Sequence, residues 1–132
     1  MQPVQPTQPR LTLRPTDRLK RREEFKRVQD HGRKHPTRHF LVVVLERRVD
    51  GAPDEGPPRI GVTITKKVGN AVQRNRVKRL VREVFRRERH RFPIGCDIVF
   101  IARDGAPELR YDEVLAEVPT RWALRREPRG RP

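Results

Sequence analysis

The chain has 132 residues, with 32 Lys and Arg against 17 Asp and Glu and a formal net charge of +15. This length allows one domain with a modest core, and the positive balance indicates a polyanionic partner, with nucleic acid ahead of a membrane surface. No apolar run approaches the ~18 residues of a membrane-spanning helix, and the first ten residues lack the apolar core of a signal peptide. A single cysteine, Cys96, excludes an intramolecular disulfide and a zinc site built on cysteines. Together these features predict a cytoplasmic protein.

The two ends of the chain differ in composition from its centre. Residues 1–16 contain four prolines and three glutamines without an apolar period, and residues 125–132 are basic and contain Pro and Gly. We expect a disordered extension over 1–16, one folded domain over 17–124 and a disordered basic tail over 125–132.

The first predicted element is a short helix. Asp17 is a candidate N-cap, and His31-Gly32 is a typical helix end. An apolar stripe over this segment is predicted from Leu19, Phe25 and Val28.

Runs rich in β-branched residues predict three clear strands, at 40–45, 59–65 and 98–102, with a further short strand possible around 33–38. The segment 50–58 is rich in Gly, Pro and Asp and predicts a surface loop.

Two further helices are predicted. Over 71–91 an apolar stripe faces the core, while a row of cations spaced by four lines another face; the stripe is Val77, Leu80, Val81, Val84 and Phe85, and the row is Arg74, Lys78, Arg82 and Arg86. A last helix starts near Tyr111 and directs Val114, Leu115, Val118 and Trp122 inward, with an interruption at Pro119. The order α-β-β-α-β-α, with the possible extra strand, predicts an α+β sandwich.

The segment 66–91 is the leading candidate for a binding surface. Eleven of its 26 residues are Lys or Arg, and only Glu83 and Glu88 are acidic. Like charges four residues apart on a helix repel, so this imbalance favours a bound polyanion over a merely solvated face.

Three smaller features leave alternatives open. Lys66 to Asn70 is either a phosphate-binding turn or a plain strand–helix turn capped by Asn70. Asn75 is either a contact to RNA or metal-bound water, or an exposed polar residue. Phe25 and Phe40 are either stacking platforms for unpaired bases or core residues.

The sequence favours a binding protein over a self-sufficient enzyme. The histidines, the cysteine and the acids form no recognisable metal-ligand spacing or paired catalytic carboxylates. A structural ribosomal protein and a protein-only nuclease remain alternatives, while a DNA-binding module would need a helix–turn–helix or zinc motif, and neither is seen.

The stretch KKVGNAVQRNRVKRLVREVFR, residues 66–86, closely resembles the signature of the bacterial ribonuclease P protein subunit. The resemblance extends to the first helix (Arg18-Leu19-Lys20, Phe25, His31-Gly32), to the strand Arg59–Val62 and to the strand Asp97–Arg103. It covers about residues 17–124.

The resemblance implies an α-β-β-β-α-β-α sandwich like that of a ribosomal protein domain, with an unusual left-handed crossover. It implies partnership with one catalytic RNA and with precursor tRNA, and no obligate protein or membrane partner. The complex removes the 5′ leader of precursor tRNA by Mg²⁺-dependent hydrolysis. The RNA performs the chemistry and holds most of the Mg²⁺, so the protein alone is expected to be inactive.

Residue roles follow from the resemblance by position. It places these residues against the catalytic RNA: Lys66, Lys67, Asn70, Arg74, Asn75, Arg76, Lys78, Arg79, Arg82 and Arg86. It places Arg18, Phe25, Arg38 and Phe40 in the leader cleft between the first helix and the sheet, and it implies no catalytic residue and no direct metal ligand in the protein. Gln29 and Val43 stand where relatives often or sometimes carry aromatics, so leader binding here is expected to rely less on stacking.

Overall fold

The computed structural model describes residues 13–123. Its helices are α1 (Arg22–His31), α2 (Ala71–Arg87) and α3 (Tyr111–Ala116). Its strands are β1 (Arg33–Pro36), β2 (Phe40–Glu46), β3 (Arg48–Val49), β4 (Ala52–Pro53), β5 (Arg59–Thr63) and β6 (Cys96–Ala102). Apart from the β3–β4 hairpin, this is the expected order α-β-β-β-α-β-α. Residues 1–12 of the predicted extension and the predicted tail at 125–132 lie outside the described residues.

One four-stranded sheet organises the molecule, with strand order β1-β2-β6-β5. The pairs β1–β2 and β2–β6 are antiparallel, whereas β5 and β6 are parallel and joined through α2. Val99 on the central strand β6 lies opposite both Val43 and Gly61, which fixes the register of the three strands. The left-handed sense of the crossover stays a prediction.

Helices cover both faces of the sheet. On one face α2 and α3 pack against alternate strand residues such as Val42, Ile60 and Phe100. On the other face α1 packs against the intervening residues, including Val43 and Val99. Because neighbouring strand residues point to opposite faces, this double cover accounts for the mostly apolar sequences of the central strands β2 and β6.

The ends of several elements differ from the sequence predictions. Asp17 does not cap α1: it closes a 3-10 turn over Pro15–Asp17, accepts a hydrogen bond from the Arg14 amide (2.8 Å) and pairs with Arg89 (3.3 Å). Leu13 packs against the core, so the packed part of the chain begins upstream of residue 17.

The two later helices are shorter than predicted. Helix α2 ends at Arg87 instead of Arg91, and a 3-10 turn over Arg89–Arg91 follows it. Helix α3 ends at Ala116, before Pro119, because proline lacks the amide hydrogen needed to continue a helix. No helix within residues 13–123 is long and apolar enough to cross a bilayer.

A buried carboxylate ties α1 to the sheet. Asp97, at the start of β6, has no exposed surface. The Arg59 guanidinium donates to both of its oxygens at 2.8 Å, and Arg47 (2.9 Å) and Arg27 of α1 (3.1 Å) donate as well. Three arginines from separate parts of the chain therefore neutralise one acid, which makes its burial tolerable.

A second polar cluster holds the end of α3 against the β1–β2 turn. Glu117 accepts hydrogen bonds from Thr37 Oγ1 (2.6 Å) and the His39 amide (2.8 Å), and it pairs with the His39 ring at 2.5 Å. Beyond it, the Trp122 indole donates to the Arg91 carbonyl (2.8 Å). The Ala123 amide also donates to the His35 ring of β1 (2.9 Å), so the C-terminal end of the described chain is anchored at the 3-10 turn after α2 and at β1.

Candidate nucleic-acid interface

The start of α2 is built by a reciprocal cap. The Asn70 side chain accepts from the Gln73 amide (2.8 Å), and the Gln73 side chain accepts from the Asn70 amide (2.9 Å). Arg74 then donates to the Gly69 carbonyl at 2.7 Å. The reciprocal cap satisfies two amide groups that a helix start otherwise leaves open, and the Arg74 contact braces the preceding turn. Asn70 therefore acts as the cap, one of its two predicted roles.

The turn before α2 carries two exposed lysines. A hydrogen bond from the Val68 amide to the Thr65 carbonyl (3.1 Å) closes the turn, and Lys66 and Lys67 lie at its tip. No described residue forms an ion pair with either lysine. The Asn70 cap and the Arg74 brace thus hold a turn that presents two unneutralised charges beside the helix.

The outer surface of α2, which we name the α2 crest, consists of Asn75, Arg76 and Arg79. All three are exposed. Arg76 donates to the Pro107 carbonyl at 2.6 Å, which braces the helix against the 3-10 turn at 106–108. Arg79 pairs with no described acid, so its guanidinium is available to phosphate.

An open groove lies beside α1, opposite the C-terminal half of β5, with a volume of about 610 Å³. We name it the α1–β5 groove; its lining residues are Arg22, Phe25, Lys26, Gln29, Asp30, Val62, Thr63, Ile64 and Lys78. It combines an aromatic ring, an amide, apolar strand residues and several cations. This is the mixture that binds an unpaired strand, whose bases stack and whose phosphates need positive charge.

Phe25 packs in the core and also reaches the α1–β5 groove, and its role as a stacking platform stays a prediction. The ring packs against the cluster of Leu19, Val28, Val43 and Val99, and it also lines the α1–β5 groove. It rests on Gly61 of β5, where any side chain would collide with it. Glycine at position 61 therefore allows the ring to lie against the sheet and still reach the groove.

Phe40 is a correction to the predicted leader cleft. Its side chain has no exposed surface, and it packs edge-to-face on Phe100 in the core beneath α2. It points to the sheet face opposite α1, so it cannot stack on a base in the α1–β5 groove. Arg38, exposed in the β1–β2 turn, is not among the residues that line this groove.

The cations of the predicted row along α2 lie in different environments. Lys78 lines the α1–β5 groove. Arg82 is half-buried, and burial together with the charge of neighbouring Arg18 lowers its pKa. Arg86 instead pairs with Glu83 of its own helix at 2.5 Å, which raises the pKa of Arg86. The row is therefore not one uniform contact surface.

Two features of the interface were not foreseen from the sequence. One is the position of Lys78 in the lining of the α1–β5 groove. Its only signal in the sequence was that residue 78 lies about 100° around the helix from the inward-facing Val77. The other is the pair of internal braces made by Arg74 and Arg76, which point to backbone carbonyls. Because every residue has a backbone carbonyl, the sequence does not indicate which carbonyl an arginine will contact.

Within the described residues, no group of three or more His, Cys, Asp or Glu is placed to hold a metal ion. Cys96 is fully buried, and burial raises the pKa of its thiol to about 11. The candidate interface offers guanidinium, ammonium and amide groups, whose chemistry suits phosphates and base edges.

Comparisons with known proteins identify the family that the chain resembles. The family model described as Ribonuclease P matches residues 13–125. The chain is 40% identical over 121 residues to the ribonuclease P protein component of Syntrophus aciditrophicus, covering 92% of this chain and 95% of the relative. It is 45% identical over 103 residues to that of Desulfovibrio desulfuricans, covering 76% of each.

Solved structures show the same likeness. The RNase P protein of Staphylococcus aureus superposes with a TM-score of 0.65 at 29% identity, covering 76% of this chain and 87% of that one. The RNase P protein of Thermotoga maritima superposes with a TM-score of 0.65 at 30% identity, covering 76% and 89%.

Proposed function

Because the chain belongs to the ribonuclease P protein family, we propose that it binds the catalytic RNA of that enzyme together with the 5′ leader of precursor tRNA. It thereby assists Mg²⁺-dependent removal of the leader. The observation that carries this proposal is the presence of two distinct basic surfaces, the α2 crest and the α1–β5 groove, on one small domain.

The two surfaces suit different RNA shapes. The α2 crest is exposed and offers guanidinium and amide groups, which suits the backbone of a folded RNA. The α1–β5 groove is concave and offers Phe25 and Gln29 beside cations, which suits a single strand such as the leader. A protein with both surfaces holds a substrate strand against its ribozyme.

We assign the hydrolysis itself to the RNA and its Mg²⁺ ions. The groups that the protein presents are mainly Arg, Lys, Asn and Gln, which do not exchange protons near neutral pH and so suit binding better than general acid–base catalysis. The protein's contribution is to neutralise phosphates where the two RNAs approach. We place this activity in the cytoplasm, with the precursor tRNA.

Reconstitution tests the proposal. Precursor tRNA is incubated with a cognate catalytic RNA at near-physiological Mg²⁺, with and without the protein, and a third reaction contains the protein alone. We expect the protein to accelerate leader removal by the RNA and to cleave nothing by itself. Absence of acceleration would contradict the proposal, and cleavage by RNA-free protein would assign the chemistry to the protein.

A further inference from the structure

Helix α2 presents its cations in two directions. Val77, Val81 and Val84 are buried and mark its inward side. At about 100° per residue, Lys78 and Arg82 fall on one flank of that side. Arg76 and Arg79 of the α2 crest fall farther around the helix, where they line a shallow depression with Leu80 and Glu83.

The flank of Lys78 and Arg82 faces α1. Lys78 lines the α1–β5 groove across from Phe25 and Gln29. Arg82, one turn later, lies beside Arg18, which precedes α1 and forms a bridge to Ile60 of β5. Three cations thus follow the boundary between the segment that leads into α1 and the side of α2.

The cations of this flank have no acidic partner among the described residues. No residue within 13–123 forms an ion pair with Lys78, Arg82 or Arg18. By contrast, Glu83 on the other side pairs with both Arg86 and Arg87. Half-buried like charges without a counterion are unfavourable, and a bound phosphate removes that cost.

We propose that α2 serves two RNAs: Lys78 and Arg82 bind the backbone of the precursor's leader, while the α2 crest binds the catalytic RNA. The leader then lies between two walls of different chemistry. The α1 wall offers Phe25 and Gln29 to the bases, and the α2 wall offers cations about one helical turn apart to successive phosphates. This inference rests on the proposed function and reassigns two residues that the family resemblance places against the catalytic RNA.

The test compares variants of the reconstituted holoenzyme on two precursors, one with a long leader and one with a single leader nucleotide. For Lys78→Ala we expect about tenfold weaker binding of the long-leader precursor, the loss of one charged contact. Binding of the short-leader precursor and of the catalytic RNA should stay unchanged. Arg79→Ala is the matched control on the same helix, and it should weaken binding of the catalytic RNA instead.

Salt dependence separates a lost contact from a distorted fold. Removal of one contact to a single strand should lower the salt slope of long-leader binding by about 0.7. Lys78→Arg should restore that slope. Thermal unfolding of each variant checks its fold.

Two results would overturn the inference: equal weakening of both precursors by Lys78→Ala, or weaker binding of the catalytic RNA by this variant. Neither would harm the proposed function. That proposal fails on a different result, the absence of stimulation by the unmodified protein.

Discussion

The Phe25 ring lies directly against the backbone of Gly61, so that a Cβ atom at position 61 would come within 2.5 Å of Phe25 Cε1. The contact joins α1 to β5 at one wall of the α1–β5 groove. The position of a potential stacking ring is thus set by the absence of a side chain on the neighbouring strand.

Gly61→Ala should therefore displace the ring. We expect the variant to lose about 1–3 kcal/mol of unfolding free energy, because overpacking forces side chains from their preferred positions. Leader binding should weaken with it. Denaturant unfolding measures the first effect. The double variant Gly61→Ala/Phe25→Leu, with a smaller side chain at position 25, should recover part of the lost stability. If Gly61→Ala alone is as stable as the unmodified protein, the contact between the ring and residue 61 is not tight.

Asp97→Asn should be among the most destabilising conservative changes in the domain. It removes the one carboxylate that neutralises Arg27, Arg47 and Arg59 together. Loss of one partner from a buried ionic cluster costs about 3–5 kcal/mol, which a urea titration would detect.

The matched control is Asp30→Asn. Asp30 forms a single exposed pair with Lys26 at 2.9 Å, and such pairs contribute about 0–1 kcal/mol. Similar losses of unfolding free energy in the two variants would mean that the Asp97 cluster contributes no more to stability than an exposed ion pair.

Glu117 makes part of the stability depend on pH. Burial raises its pKa, but hydrogen bonds from Thr37 and His39 outweigh this effect and hold the pKa below its ordinary 4.5. The carboxylate's contribution is therefore full above pH 4.5 and is lost as the pH falls through the lowered pKa. Glu117→Gln should be less stable than the unmodified protein at neutral pH, and the difference should shrink in acid.

Unfolding free energies of both proteins across this pH range measure the effect. Glu108→Gln is the control, since Glu108 is exposed and pairs with no described residue; it should show no such convergence. A constant difference between Glu117→Gln and the unmodified protein at all pH values would assign the loss to packing.

Arg79→Ala should weaken binding of the catalytic RNA and lower the salt slope by about 0.9, the effect of one phosphate contact in a duplex. Arg87→Ala removes the same charge from the same helix. Arg87, however, is paired with Glu83 at 3.0 Å and lies over the Tyr111 ring. Arg87→Ala should therefore leave the salt slope of catalytic-RNA binding nearly unchanged. Equal slopes for the two variants would show that net charge, and not position, governs binding.

Much of the fold could be predicted because the local patterns were strong. The start of α2 at Ala71 follows from the Asn70 cap, and the strands follow from runs of Val and Ile. The face of Phe40 could not be predicted, since β2 is buried on both sides and its composition does not distinguish them. The register with β6 decides the matter, and register is a tertiary property.

The site divides in the same way. The basic character of α2 is visible in the sequence, but the partners of its arginines are not. Arg74 and Arg76 contact carbonyls of Gly69 and Pro107, and the three arginines at Asp97 come from positions 27, 47 and 59. Convergence of distant residues depends on packing, which no local pattern encodes.

The burial of Cys96 makes the protein suitable for labelling at a chosen position. Its thiol is enclosed, and its pKa of about 11 leaves little of the reactive thiolate at neutral pH. A cysteine introduced by Ala123→Cys would be exposed, next to His35 on β1. This edge lies three strand spacings, about 14 Å, from β5 and its groove. A dye there would report distances to a labelled RNA without obstructing the α1–β5 groove.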